Sequence, residues 1–240
     1  MAEIGGYPIL WHIMSGYAHF GYKDFVLALG YKGEMIKDFF LHVDDWHHDI
    51  CIDYTTGTTE YTQPRKLDWR VDLVDTGEST DTGGRVRRLA DRLRPHGTFM
   101  VTYGDGVSNV DIGALVDFHR RHGKLATVTA VRPPARFGAM TFDGDRVLQF
   151  SEKPQSGEGW INGGFFVFEP AVLDYLDDDA TILERQPLER LVAEQQLMSY
   201  RHEGFWQCMD TLRDKNRLEE LWLQQPAPWQ DWPDKDTPQA

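Results

Sequence analysis

Asp105 and Asp210 are the residues whose surroundings point most directly to chemistry. Asp105 stands between Gly104 and Gly106, directly after the apolar, β-branched run Thr98–Tyr103. That run reads as a buried strand. Its abrupt end in glycine allows backbone shapes and close approaches that a side chain would block. Open α/β sheets bind their ligands at the carboxyl ends of such strands. Asp210 lies in Trp206–Asp214 (WQCMDTLRD), just ahead of a helical pattern. Two carboxylates so placed could share one hard cation through oxygen. The glycine-flanked tripeptide alone reads rather as a plain turn, and the second aspartate is what raises the metal reading.

Other tracts offer groups for an anionic or hydroxylated ligand. Glu152-Lys153-Pro154 follows a strand directly, and the proline pushes Lys153 toward extended backbone. A lysine held there is a point charge suited to a phosphate, although taken alone it reads as a surface lysine at a turn. Asn162-Gly163-Gly164 interrupts the apolar run Trp160–Phe168, as expected for close approach of a ligand or for a β-bulge. Arg136-Phe137-Gly138 lies one hairpin earlier and reads locally as a loop. The run His42–Asp49 (HVDDWHHD) lacks the partners at recognisable spacing that would complete a tetrahedral zinc set. Neither GxxxxGK[ST] nor a strand-flanked GxGxxG is present. Cys208 has no evident base beside it and reads as a buried thiol.

The elements that must position these groups alternate along the chain. Pro8–Phe20 reads as a helix with Ile9, Leu10, Ile13, Met14 and Tyr17 on one face. Met1–Tyr7 reads as a loop before it. Strands are expected at Phe25–Leu29, Ile50–Tyr54 and Val71–Val74, with helices at Gly33–Leu41 and from Thr82 to about Arg94. Thr55–Trp69 reads as a loop or hairpin that could meet a partner subunit. After the central strand come a helix at Asp111–His122 and a strand at Leu125–Val131. Next are a hairpin formed by Ala139–Phe142 and Val147–Phe150, and the strand Trp160–Phe168. Helices at Pro170–Leu176 and Leu183–Gln195, a strand at Leu197–Arg201 and a long helix at Thr211–Gln224 complete the pattern. This alternation predicts one α/β domain over residues 1–225 with a doubly wound, mostly parallel sheet, and a frayed polar tail over 226–240.

Composition narrows the function. The 240 residues carry a net charge of −13, which argues against a nucleic-acid backbone as partner. A small polyanion remains compatible, since a pocket needs only a few local cations. No run is apolar and long enough to span a membrane, and no signal peptide is evident. Two cysteines are too few for a disulfide scaffold. A reducing cytoplasm fits best.

The tracts EIGGYPILWHIM, LVDTGESTDTGGR, TYGDGV, RFGAM, EKP, INGGFFVF and FWQCMDTLRDK, taken in this order, resemble glucose-1-phosphate cytidylyltransferases over nearly the whole chain. The resemblance implies a Rossmann-like nucleotidyltransferase fold. It also implies an enzyme that joins CTP to glucose 1-phosphate, giving CDP-glucose and pyrophosphate with Mg2+, for the deoxysugars of bacterial surface polysaccharides. Carried over by position, it makes Asp105 and Asp210 the magnesium ligands and sets Lys153 on the sugar phosphate. Gly138, Glu152, Asn162 and Gly164 would line the glucose, with Thr82, Gly83, Arg85 and Gly104 near the nucleotide. A homo-oligomer is expected by the same analogy.

The start of the chain departs from that pattern. In the family a first strand leads into a glycine-rich loop with GTR and then a PKPM tract, and only afterwards comes EIGG. Met1 here stands at the methionine of PKPM. The resemblance therefore implies a reading frame that begins upstream, and a strand between Phe25–Leu29 and Thr98–Tyr103 that these residues do not supply. Tyr7 and Cys208 are smaller departures, expected to lie away from the chemistry. Two alternatives stay open: another nucleotide or sugar 1-phosphate as substrate, and a non-catalytic sugar-phosphate binder.

Overall fold

A computed structural model describes residues 1–47, 49–62, 67–133, 139–143, 146–151 and 159–231. The chain opens with β1 (Glu3–Ile4), β2 (Tyr7–Pro8), α1 (Ile9–His19), β3 (Asp24–Leu29), α2 (Gly33–His47), β4 (Asp49–Asp53), β5 (Thr58–Thr62) and β6 (Arg70–Asp75). It continues with α3 (Thr82–Arg88), α4 (Ala90–Leu93), β7 (Phe99–Val101), β8 (Gly106–Ser108), α5 (Ile112–His122), β9 (Ala126–Val131), β10 (Ala139–Asp143) and β11 (Arg146–Ser151). It closes with β12 (Ile161–Phe168), α6 (Gln186–Ala193), β13 (Leu197–His202), β14 (Trp206–Cys208) and α7 (Leu212–Trp222).

The main sheet has the order β13-β9-β12-β7. β9 and β13 run parallel, whereas β12 is antiparallel to both β9 and β7, so this sheet is mixed. Alternation along β12 sends side chains to opposite faces. Phe165 and Val167 join α1, α5 and α7 in one core, together with Ile13, Leu115 and Leu218. Phe166 and Phe168 join a second core with Val86 of α3 and Leu191 of α6. Helices therefore cover both faces, as the alternating pattern requires.

β3 and β6 form a separate parallel pair. Among the described residues no ladder joins β3 to β7. A cavity of about 910 Å3 lies between them, lined by Ile13, Tyr17, Phe25, Leu27, Met100 and Val101 among others.

Several boundaries differ from the sequence reading. Met1–Tyr7 is not simply a loop, since β1 and β2 pair antiparallel within it. The α3 region breaks at Leu89 into two short helices and a 3-10 turn at Arg94–His96. Pro170–Tyr175 is a 3-10 helix. Of the two readings of the stretch from Thr55, loop or hairpin, the hairpin holds at its start, where β5 pairs with β4. The expected tail is anchored at its start, because Ala227 and Trp229 are buried against α1 and α7. An apolar pair in a proline-rich stretch has no period to reveal it.

Candidate active site

Two short strands bring the aspartates together. β14 pairs antiparallel with β8, matching Cys208 with Gly106 and Trp206 with Ser108. Beyond the ladder the Met209 N–H donates to the Asp105 carbonyl at 2.8 Å, so Asp105 and Asp210 emerge at the same end of this ribbon. Asp210 directly precedes the N-cap of α7, where Thr211 and Asp214 form a capping box. This fixes the chain direction as it leaves the ribbon.

Both aspartates face solvent, yet the Asp105 carboxyl titrates above its ordinary range. Partial removal from water is the larger cause, and the neighbouring Asp210 charge is the second. Like charges held together disfavour ionisation. A divalent cation would remove that repulsion. Magnesium commonly takes one or two protein carboxylates and completes its shell with phosphate oxygens and water, and a pair of accessible carboxylates fits that habit. Cys208, expected to lie away from the chemistry, instead donates its thiol hydrogen to Asp210 Oδ2 at 3.3 Å.

The expected nucleotide residues fall along one wall of the cavity. Thr82, Arg85, Gly104 and Asp105 all line it. The Arg85 guanidinium is turned onto the carboxyl ends of β3 and β6, donating to Leu29 O at 3.1 Å and Thr76 Oγ1 at 2.8 Å. Gly83 is buried behind the wall, and its N–H donates to Thr181 O at 2.9 Å. A Cβ at Gly83 would stand 2.8 Å from that same carbonyl, so glycine is needed there for packing.

On the side expected to meet the sugar, β12 is bulged between Asn162 and Phe166. The bulge lets the Gly164 N–H donate to Asn162 Oδ1 at 2.9 Å. It also exposes the Gly163 carbonyl to the Trp206 indole N–H at 2.9 Å. Gly164 has φ of +82°, and a Cβ there would meet the Tyr103 ring at 2.4 Å. Both facts demand glycine. Asn162 Nδ2 donates to the Tyr103 hydroxyl at 3.1 Å. The hydroxyl in turn donates to Glu184 Oε1, and Thr82 Oγ1 donates to Glu184 Oε2 at 2.7 Å. Gly138, Glu152 and Lys153 lie outside the described residues.

Comparison with known proteins identifies the family. The nucleotidyl transferase family model matches residues 2–223. Glucose-1-phosphate cytidylyltransferase of Salmonella typhi is 48% identical over 232 residues, covering 97% of this chain and 90% of that protein. Its Salmonella typhimurium counterpart matches equally, at 48% identity over the same shares. The chain belongs to the glucose-1-phosphate cytidylyltransferase family. The crystal structure of HddC from Yersinia pseudotuberculosis shares the fold, with a TM-score of 0.65 at 19% identity, covering 92% of this chain and 88% of that one.

For a member of this family, the sequence reading passed over Tyr103 and Glu184. Tyr103 was visible only as the last residue of the central strand, and Glu184 only as a polar residue in the first turn of the helix expected at Leu183–Gln195. Neither has a local signal, because their partners lie 59 and 81 positions from Tyr103 and 102 and 81 positions from Glu184. The β8–β14 ribbon was missed for a related reason. Strands of three residues are too short to show a period.

Proposed function

We propose that this cytidylyltransferase-family chain joins CTP to alpha-D-glucose 1-phosphate, giving CDP-glucose and pyrophosphate. A phosphate oxygen of the sugar forms a bond to the α-phosphorus, and the bond from that phosphorus to the pyrophosphate oxygen breaks. The attacking group is already anionic at neutral pH, so the residues act by positioning and charge neutralisation. Asp105 and Asp210 would hold Mg2+, which when bound offsets the charge on the phosphate oxygens. Thr82, Arg85 and Gly104 form the wall toward the nucleotide, while Asn162 faces the sugar. Lys153 is assigned to the sugar phosphate, and Glu152 and Gly138 to the glucose, by resemblance. A homo-oligomer supplying CDP-glucose for surface-polysaccharide deoxysugars is the family expectation. No helix among the described residues is long and apolar enough to cross a membrane.

The observation that carries the reading is the convergence of Asp105 and Asp210 through the β8–β14 ribbon, in a chain 48% identical to such enzymes. The test incubates the protein with glucose 1-phosphate, Mg2+ and each of CTP, UTP, dTTP and GTP in turn. CDP-glucose and pyrophosphate should form with CTP, and Asp210→Ala should lower the rate at least about 100-fold. Preferred use of another nucleotide would overturn the base assignment. Glucose 1-phosphate binding without turnover on any nucleotide would favour the non-catalytic binder.

A further inference from the structure

Tyr103 and Glu184 join the two sides of the site through a chain of hydrogen bonds. Each oxygen of the Glu184 carboxylate accepts one hydroxyl, from Tyr103 on one side and from Thr82 on the other. A phenol has a single proton to give. Because Tyr103 gives it to Glu184, its oxygen can only accept from Asn162. The Asn162 amide is thereby oriented at both ends, with NH2 toward Tyr103 and Oδ1 toward the Gly164 N–H. One N–H and one lone pair of the amide stay available at an exposed position. The Tyr103 ring is itself seated, edge-on to Phe166 at 6.0 Å and directly over Gly164.

We propose that Tyr103 and Glu184 are positioning residues that lock the Asn162 amide for a sugar hydroxyl and tie that setting to Thr82 on the nucleotide side. This role rests on the reading of Asn162 as a sugar contact. The direction of the chain of hydrogen bonds is its essential feature. Tyr103→Phe keeps the ring over Gly164 but removes the acceptor for the amide. Glu184→Gln keeps the volume but replaces one acceptor oxygen with a donor. If that donor faces Tyr103, the phenol proton turns toward Asn162 and the amide is driven to flip against the Gly164 N–H.

Calorimetry with glucose 1-phosphate, run on wild type, Asn162→Ala, Tyr103→Phe, Glu184→Gln and Glu184→Asp, separates the possibilities. Asn162→Ala, Tyr103→Phe and Glu184→Gln should each weaken binding, the last two by about three- to tenfold. Glu184→Asp, which keeps the carboxylate, should recover part of the loss. In turnover, KM for glucose 1-phosphate should rise while kcat stays within about twofold. The Asn162 side-chain amide signals in 15N–1H spectra, assigned by their loss in Asn162→Ala, should shift in Tyr103→Phe and in Glu184→Gln. Weakened binding in Asn162→Ala with wild-type affinity in the other two would overturn the positioning role alone. Unchanged affinity in Asn162→Ala would overturn the sugar contact and this role with it. Should Tyr103→Phe fold poorly, Glu184→Gln carries the same test.

Discussion

Strands β3 (DFVLAL) and β9 (ATVTAV) are similarly apolar in sequence but differ sharply in their surroundings. β9 lies between β12 and β13, and five of its six residues are buried. Among the described residues β3 pairs only with β6; it borders the cavity on its other side and buries only Leu29. What secures β3 is largely aromatic: Phe25 packs against Trp69 at 5.5 Å, and Trp69 against Trp11 of α1 at 4.8 Å. Apolar character makes a segment fit for burial, but neighbours on both edges confer it. The half of the site proposed to face the sugar stands on the interleaved sheet, and the wall proposed to face the nucleotide borders the cavity.

The largest test of this contrast is a pair of core truncations. Phe166→Ala in β12, whose side chain is fully buried, should cost about 3–5 kcal/mol in denaturant unfolding. Leu27→Ala, beside the cavity, should cost only about 1 kcal/mol, because much of that side chain's surroundings is already open. Native-state amide exchange should rank the strands likewise, with β3 amides exchanging faster than those of β9. Equal costs and equal protection would show that the gap does not weaken β3.

A smaller effect is expected at the end of the β8–β14 ribbon. Thr211→Ala removes the side chain that accepts the Asp214 N–H, and should lower stability by about 1 kcal/mol. Because that cap fixes the exit from Asp210, the variant's apparent affinity for Mg2+ in turnover assays should fall as well. A stability loss with unchanged metal dependence would separate the cap from the site.

The smallest expected stability effect sits at the boundary of the two regions. The Asp105 carboxyl is raised above its ordinary range by partial desolvation and by Asp210. The folded state therefore holds this proton more tightly than the unfolded one. The resulting stabilisation is present below the unfolded value, roughly pH 4, and is lost as pH rises through the folded value. Asp105→Asn does not titrate, so its melting temperature relative to wild type should be higher at pH 7.5 than at pH 4. Mg2+ at pH 7.5 should narrow that difference by stabilising wild type. A difference independent of pH would show that the two carboxylates do not interact.

Long periodic segments were legible from the residues alone. The apolar face of α1 and the strands β9, β12 and β13 lie within two residues of their expected bounds, because local pattern and burial agree there. The aspartate pair was legible through its glycine and helix-start settings. α2 was expected to stop near Leu41 but continues to His47, beyond any clear stop signal. The short strands β1, β2, β8 and β14 were not readable, since two or three residues carry no period.

By itself, then, the sequence determined which segments could be strands and helices and which side chains were chemically equipped to hold a cation, a phosphate or a hydroxyl. Those properties are local to a residue and its near neighbours. Only the tertiary structure decided that Asp105 and Asp210 leave the same end of one ribbon. It alone showed that Arg85 is turned onto Leu29 and Thr76, and that Tyr103 and Glu184 orient Asn162. The reason is physical. A hydrogen bond depends on where its donor and acceptor are brought together, and these partners lie up to 104 positions apart in the chain, from Asp105 to Met209.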